Sequence, residues 1–242
     1  MITLENVSKA FGSLKVLCDL SLHVAADEIV GIVGPSGAGK TTILKLITGI
    51  LAPDQGTVTV AEGAVGYAFQ EPRLLPWRTA LDNVAVPLRA QGMSKAAARA
   101  AAARWLERVE LGGFERYHPA GLSGGMAQRV SLARAFAVKP CILLMDEPFA
   151  NVDVDLKGSL MAILESISKE RKTTMVYVTH ELTEALRLAD RIVELTPDHT
   201  LRELDLRDRG AVAREWLART LGDLGAWNGE APGVRDPGRL DA

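Results

Sequence analysis

Up to Phe69 the chain reads as short apolar runs and two-residue alternations. Residues 2–9, 16–24, 29–33, 56–60 and 64–69 carry hydrophobic side chains at strand spacing, broken by turn residues such as Ala52-Pro53-Asp54-Gln55-Gly56. The pattern then changes. Residues 81–111 are alanine-rich and helical, with Ser94 placed to cap a helix that runs to Val109. Arg99, Arg104, Trp105, Leu106 and Val109 interrupt the alanines and give that helix two faces, as an ordinary amphipathic element requires. Strand-like runs resume at 141–145 and 174–178. Strands alternating with helices predict an α/β fold with a largely parallel sheet covered on both faces, into which the helical stretch is inserted. Residues 211–221 have the spacing of a terminal helix, and from Asn228 onward glycine, proline and charge predominate, so a loosely ordered tail is expected over 226–242.

Composition narrows the class. A chain of 242 residues, 48% hydrophobic, can bury a sizeable core, and a formal charge of −2 argues against a nucleic-acid platform. Cys18 and Cys141 are far apart and have no metal-type spacing, so neither a disulfide nor a zinc framework is implied. The first residues lack a secretory pattern and no run approaches the roughly 18 apolar residues of a membrane span. A soluble cytosolic protein is expected, any membrane role being borrowed from a partner.

The most specific chemistry lies directly after the apolar run 29–33. Gly34-Pro35-Ser36-Gly37-Ala38-Gly39-Lys40-Thr41 is a glycine-rich turn that opens a helical stretch beginning Thr41-Thr42. Glycines let successive backbone N–H groups converge on a phosphate, and the helix N-terminus adds partial positive charge. Lys40 adds a full charge for terminal phosphates and Thr41 a hydroxyl for Mg2+.

A second element is the apolar strand 141–145, which ends in Asp146-Glu147. Ligands of parallel sheets bind beyond the strands' carboxyl ends, so both carboxylates should emerge beside the phosphate loop. Adjacent strand residues point to opposite sides, which separates their roles: Asp146 in the Mg2+ shell, Glu147 orienting or deprotonating a water.

The third element, Leu122-Ser123-Gly124-Gly125-Met126-Ala127-Gln128-Arg129, precedes an amphipathic helix. Ser123, Gly124 and Gly125 at a helix start form another anion site from amides, a hydroxyl and the helix dipole. With all three motifs in this order, the chain resembles the ATP-binding cassette (ABC) ATPases over roughly residues 1–195. The resemblance implies a P-loop NTPase (RecA-like) core, an N-terminal antiparallel β-subdomain and a helical subdomain at about 71–138, within a single domain spanning 1–225. It implies ATP and Mg2+ as ligands, and a second cassette whose serine and glycines close over the ATP held by the first.

Carried over by residue, Phe11 matches the aromatic that stacks on adenine, with Val16 as its apolar neighbour. Gln70 matches the glutamine that reaches the Mg2+ and the attacking water, and His180 the histidine that contacts the γ-phosphate. Asp153 matches the aspartate that communicates across the dimer. Met126 departs from the usual signature glutamine, and Asn151-Val152 from the usual small residue and leucine before that aspartate. Neither departure removes a phosphate, metal or water contact.

Residues 70–79, Gln-Glu-Pro-Arg-Leu-Leu-Pro-Trp-Arg-Thr, are similar to the nitrate, sulfonate and taurine importer cassettes. That similarity implies a homodimeric, peripheral subunit on the cytoplasmic side of the cell membrane, with transmembrane permease subunits as partners. A periplasmic or extracellular solute-binding protein would act indirectly, and no nucleic acid is involved. Two prolines and Trp77 make a stiff surface suited to a permease helix, with local core packing of Trp77 as the lesser alternative. A soluble cassette ATPase uncoupled from transport and a non-catalytic nucleotide-binding regulator are the competing readings; retention of Glu147 and His180 disfavours the second.

Overall fold

A computed structural model describes residues 1–150, 154–170 and 173–226. The chain divides into two compact units, Met1–Leu204 and a second from Asp205 onward.

The first unit is built on two sheets. In the smaller, β1 (Ile2–Phe11) pairs antiparallel with both β2 (Leu14–Val24) and β4 (Gln55–Val60). In the larger, β5 (Val65–Ala68), β6 (Ile142–Asp146), β7 (Thr174–Thr179), β3 (Ile29–Val33) and β8 (Arg191–Leu195) run parallel in that order. The short β9 (Leu201–Glu203) closes the edge antiparallel to β8. Every residue of β6 and β7 is buried, which is why these strands read as unbroken apolar runs rather than alternations.

The helix after the glycine-rich turn, α1 (Lys40–Ile47), lies between the sheets. Its Ile43, Leu44, Leu46 and Ile47 share one core with Ile2, Leu4, Leu20 and Leu22 of the smaller sheet and with Ile32, Leu144, Val176 and Val178 of the larger. Packing on both sides therefore fixes the start of α1 against the central strands.

The inserted region forms a helical layer of α2 (Ala80–Ala90), α3 (Lys95–Arg108) and α4 (Gly124–Ala137). Thr79 and Ser94 cap α2 and α3 by accepting from the N–H groups of Asp82 and Ala97, so the Ser94 cap falls where the sequence places it. Trp105 stacks on Phe136 with ring centroids 5.8 Å apart, joining α3 to α4. Two further helices, α5 (Val154–Glu170) and α6 (Leu182–Leu188), flank β7 in sequence. The second unit contains α7 (Arg209–Ala226). Residues 227–242 of the expected tail lie outside the described residues.

Candidate active site

Strand register gathers the chemical motifs at one edge. Val33 of β3 pairs with Thr179 of β7, Val178 with Asp146 of β6, and Met145 with Ala68 of β5. Each pairing aligns a strand's carboxyl end with its neighbour's. The segments that leave those ends, carrying Gly34, His180, Glu147 and Gln70, therefore issue side by side.

The turn between β3 and α1 is shaped for an anion. Pro35, Ser36 and Gly37 are exposed, with Ala38 and Gly39 partly buried behind them. The N–H of Ala38 donates to Pro35 O (3.3 Å), closing the turn. Gly37 has φ 80° and a Cβ there would meet nothing within 4 Å, so its backbone faces open space. Gly39 is the opposite case. It sits at φ 112°, and a Cβ would fall 2.5 Å from Val16 Cγ1. Val16, 7% exposed, thus packs directly against the turn and holds it in shape. Gly39→Ala is expected to destabilise the chain by about 1–3 kcal/mol, combining a disfavoured backbone region with an overlap. Urea unfolding checks this, and an unchanged midpoint would contradict the packing.

Lys40 is 4% exposed. Its Nζ donates to Gly34 O and Pro35 O, each at 2.9 Å, and stands 3.6 Å from Glu147 Oε1. Burial pushes its pKa down, and the Glu147 carboxylate opposes that shift. Asp146 adds a smaller effect in the same direction, and a phosphate brought to the turn would add further negative charge beside this buried cation.

The two carboxylates separate as the strand geometry requires. Asp146 closes β6 with Oδ1 accepting from Thr41 Oγ1 (2.9 Å) and Oδ2 from the Tyr67 hydroxyl (3.4 Å). Burial raises the Asp146 pKa, the hydroxyl of Thr41 works against it, and Glu147 adds to it. Burial also drives Tyr67 well above the usual phenol range, so it remains a donor. Thr41 and Asp146 are hard oxygen donors, a pair that suits Mg2+, which takes few protein ligands and completes its shell with phosphate and water. Among the described residues no cluster of three or more His, Cys, Asp or Glu could form an all-protein cage.

Glu147 turns away from the strand at φ 43°, a conformation uncommon for a side-chain-bearing residue, and its N–H donates to Val178 O at 3.0 Å. That turn aims its carboxylate at three groups: Lys40 Nζ, Gln70 Nε2 (3.4 Å to Oε2) and His180 Nδ1 (3.2 Å to Oε2). Three residues singled out from the sequence, Lys40, Gln70 and His180, thus converge on the carboxylate of a fourth, Glu147. Gln70 lies on the Glu147 side, and its hydrogen bond goes to the Glu147 carboxylate and not to Asp146.

Phe11 is 48% exposed at the end of β1, with Lys9 Nζ 5.7 Å from its ring centroid, leaving aromatic surface for a base. Thr42 is buried in the first turn of α1. Ser123 caps α4 by accepting from the Met126 N–H (3.2 Å), Ser123 and Gly124 are exposed, and a Cβ on Gly124 would meet nothing within 4 Å. This helix start therefore presents Ser123 and Gly124 outward, whereas Gly125, the third residue of the expected anion site, is buried in the first turn of α4. Asp153, with Asn151 and Val152, lies outside the described residues.

Two participants escape sequence reading. Tyr67 sits on β5 opposite Leu144, which shares a strand face with Asp146, so register alone could have found it. Gln128, 3% exposed on α4, donates to Phe69 O (3.4 Å) and Pro148 O (3.0 Å). It ties the segments carrying Gln70 and Glu147 to the helix capped by Ser123.

Residues 17–150 match the ABC transporter family. The chain is 42% identical to the formylaminopyrimidine import ATP-binding protein of Halalkalibacterium halodurans, over 85% of this chain and 84% of that protein. It is 40% identical to an aliphatic sulfonates import ATP-binding protein of Burkholderia cenocepacia, over 82% and 74% respectively. A sulfate/thiosulfate import ATP-binding protein of Rhizobium meliloti is 41% identical over 81% of this chain, which spans only 57% of that relative's length. Among solved structures, the dimeric bacterial ABC transporter cassette MJ0796 superposes with a TM-score of 0.79 at 34% identity, covering 86% of this chain and 99% of that one. A post-hydrolysis dimer of the same cassette, bound to ADP and Pi, gives 0.78.

Proposed function

Because the chain belongs to the ABC transporter family of ATP-binding cassettes, we propose that it is the ATP-hydrolysing subunit of an importer, acting as a homodimer on permease subunits at the cytoplasmic face of a membrane. The observation that carries this reading is the convergence of Lys40, Gln70 and His180 on the Glu147 carboxylate, beside a turn built for phosphate.

Phe11 receives the base, with Val16 as its apolar neighbour packed against the turn, and the turn from Gly34 to Thr42 cradles the phosphates, with Lys40 moving its charge to the terminal ones. Thr41 and Asp146 would hold Mg2+, with Gln70 assigned to reach it, and the ion would neutralise phosphate charge when bound. Glu147 orients the attacking water and accepts its proton, while His180 faces the γ-phosphate. Phosphoryl transfer asks little covalent chemistry of a protein, so this placement of charge and donors is the main contribution.

Ser123, Gly124 and Gly125 are assigned to completing the pocket of a second copy: Ser123 and Gly124 are exposed on the chain that bears them, and Gly125 lies buried behind them. Asp153 is assigned to the contact between copies. Mixing separates this from a self-contained pocket. Lys40→Ala and Ser123→Arg should each be inactive alone, yet a mixed dimer contains one pocket with an intact turn and an intact serine. Phosphate release should reappear on mixing, and its absence would favour a self-contained pocket in which each serine serves its own chain.

The region 71–138 is read as a subdomain within a cassette spanning 1–225, and its loop before α2 as the permease contact. Trp77 is 69% exposed, which disfavours local core packing, while Asn83 holds the loop by accepting from Leu75 N and donating to Leu75 O, Arg78 O and Thr79 O. A small anionic solute of the nitrate, sulfonate or taurine class, delivered by a periplasmic or extracellular solute-binding protein, is the proposed cargo. The loop at 70–79 and the similarity to the sulfonates import protein support it. Co-purification with a polytopic membrane subunit, followed by uptake of labelled taurine or nitrate in vesicles, tests coupling and cargo separately.

A further inference from the structure

We infer that Lys157 and Glu184 are positioning residues for His180, forming an ionic clamp that ties the imidazole's loop to the start of α5. This inference rests on the proposed pairing of His180 with Glu147.

His180 itself is exposed, and among the described residues its side chain is held by Glu147. Its neighbours in the chain are held tightly. On one side, the Thr179 hydroxyl is buried, accepts from the Glu181 N–H (3.0 Å) and donates to Glu184 Oε2 (2.5 Å). Glu184, 4% exposed, also accepts at its backbone oxygen from the Tyr177 hydroxyl (3.3 Å). On the other side, Glu181 Oε1 meets Lys157 Nζ at 2.7 Å. Lys157 closes the ring through Glu184 Oε1 at 2.8 Å. Residues 177, 179, 181 and 184 thus form a network that brackets His180 in the chain. Lys157 is the one member contributed by another segment.

Electrostatics makes this arrangement costly for a merely structural purpose. Burial works to lower the Lys157 pKa, but Glu181 and Glu184 together raise it, so the ammonium stays charged. Leu182 and Ala185 already bury the apolar side of α6. Desolvated charges are weak sources of stability but strong sources of registry, because a shifted partner leaves a charge unpaired. Registry is what His180 needs: Nδ1 must keep its 3.2 Å approach to Glu147 Oε2, and small displacements at such sites cost much rate. Lys157 sits in the first turn of α5, four residues after Asp153. Any displacement of that turn is passed to the backbone on both sides of His180.

The test uses the full chain with 15N-labelled histidine. Lys157→Met should lower kcat by about tenfold or more with KM for ATP within about twofold. It should shift the ring resonances of His180, assigned by their loss in His180→Gln, and leave those of His23, His118 and His199 in place. Lys157→Arg should restore most of both. A His180 resonance that stays put, or changes of equal size at all four histidines without rescue by arginine, overturns the clamp. If the wild-type chain hydrolyses no ATP, the ATPase reading fails and the His180 resonance alone decides the clamp. Should Lys157→Met fail to fold, Glu184→Gln keeps the shape of the buried side chain while removing its charge, and is read the same way.

Discussion

Glu147→Gln is expected to bind ATP at least as well as the natural chain while hydrolysing it on the order of 10²–10⁴-fold more slowly, the range lost when a positioned general base is removed. Glutamine preserves the volume at this turn and the backbone hydrogen bond to Val178 O, so the φ of 43° and the fold should survive. What disappears is the charge beside Lys40 and the acceptor capable of taking a proton from water. Binding should improve because a carboxylate no longer opposes the incoming triphosphate. With hydrolysis blocked, the two copies should stay closed, so light scattering with ATP should report a dimer. Nucleotide titration, phosphate release and scattering together check the prediction. Wild-type turnover in this variant would remove Glu147 from the reaction and leave His180 and Gln70 without a common target.

Much of this arrangement is legible in the sequence because it depends on strong local patterns. The runs at β3 and β6 are apolar on every residue and end abruptly in glycine or carboxylate, and central parallel strands need that composition. The edge of the sheet is harder to read. In β8, Arg191 and Glu194 interrupt Ile192, Val193 and Leu195, and only the tertiary structure shows why they are tolerated. Arg191 pairs with Glu28 and Glu203, and Glu194 with Arg202. The three-residue β9 and seven-residue α6 are too short for periodicity to register. The site divides in the same way. Lys40, Asp146 and Glu147 carry chemistry that their motifs declare, whereas Gln128 stands at the end of the third motif, on a helix buried on nearly every face, with no local feature that names its role. Its two carbonyl partners are 59 and 20 residues away in the chain, a relation that no local spacing encodes.

Lys40→Ala is expected to weaken ATP binding by on the order of 10²-fold or more and to bring hydrolysis to background. A hydrogen bond to a charged group contributes about 1.5–3 kcal/mol, and Lys40 is placed to make more than one with the terminal phosphates. The same substitution also disturbs the chain without nucleotide, since it strips Gly34 O and Pro35 O of a donor and leaves Glu147 without its cation. Two consequences follow from one change, and they can be separated. Loss of the internal bonds should lower the unfolding midpoint of the ligand-free chain, whereas loss of the phosphate contact should abolish the rise in that midpoint produced by ATP. Lys40→Arg refines the point. It keeps a positive charge but must fit a bulkier planar group into a space where the ammonium is only 4% exposed, so weaker ATP stabilisation than wild type is expected despite the charge. If the alanine variant still gained full stabilisation from ATP, the turn at residues 34–41 would not be the triphosphate cradle, and the convergence on Glu147 would need another ligand to explain it.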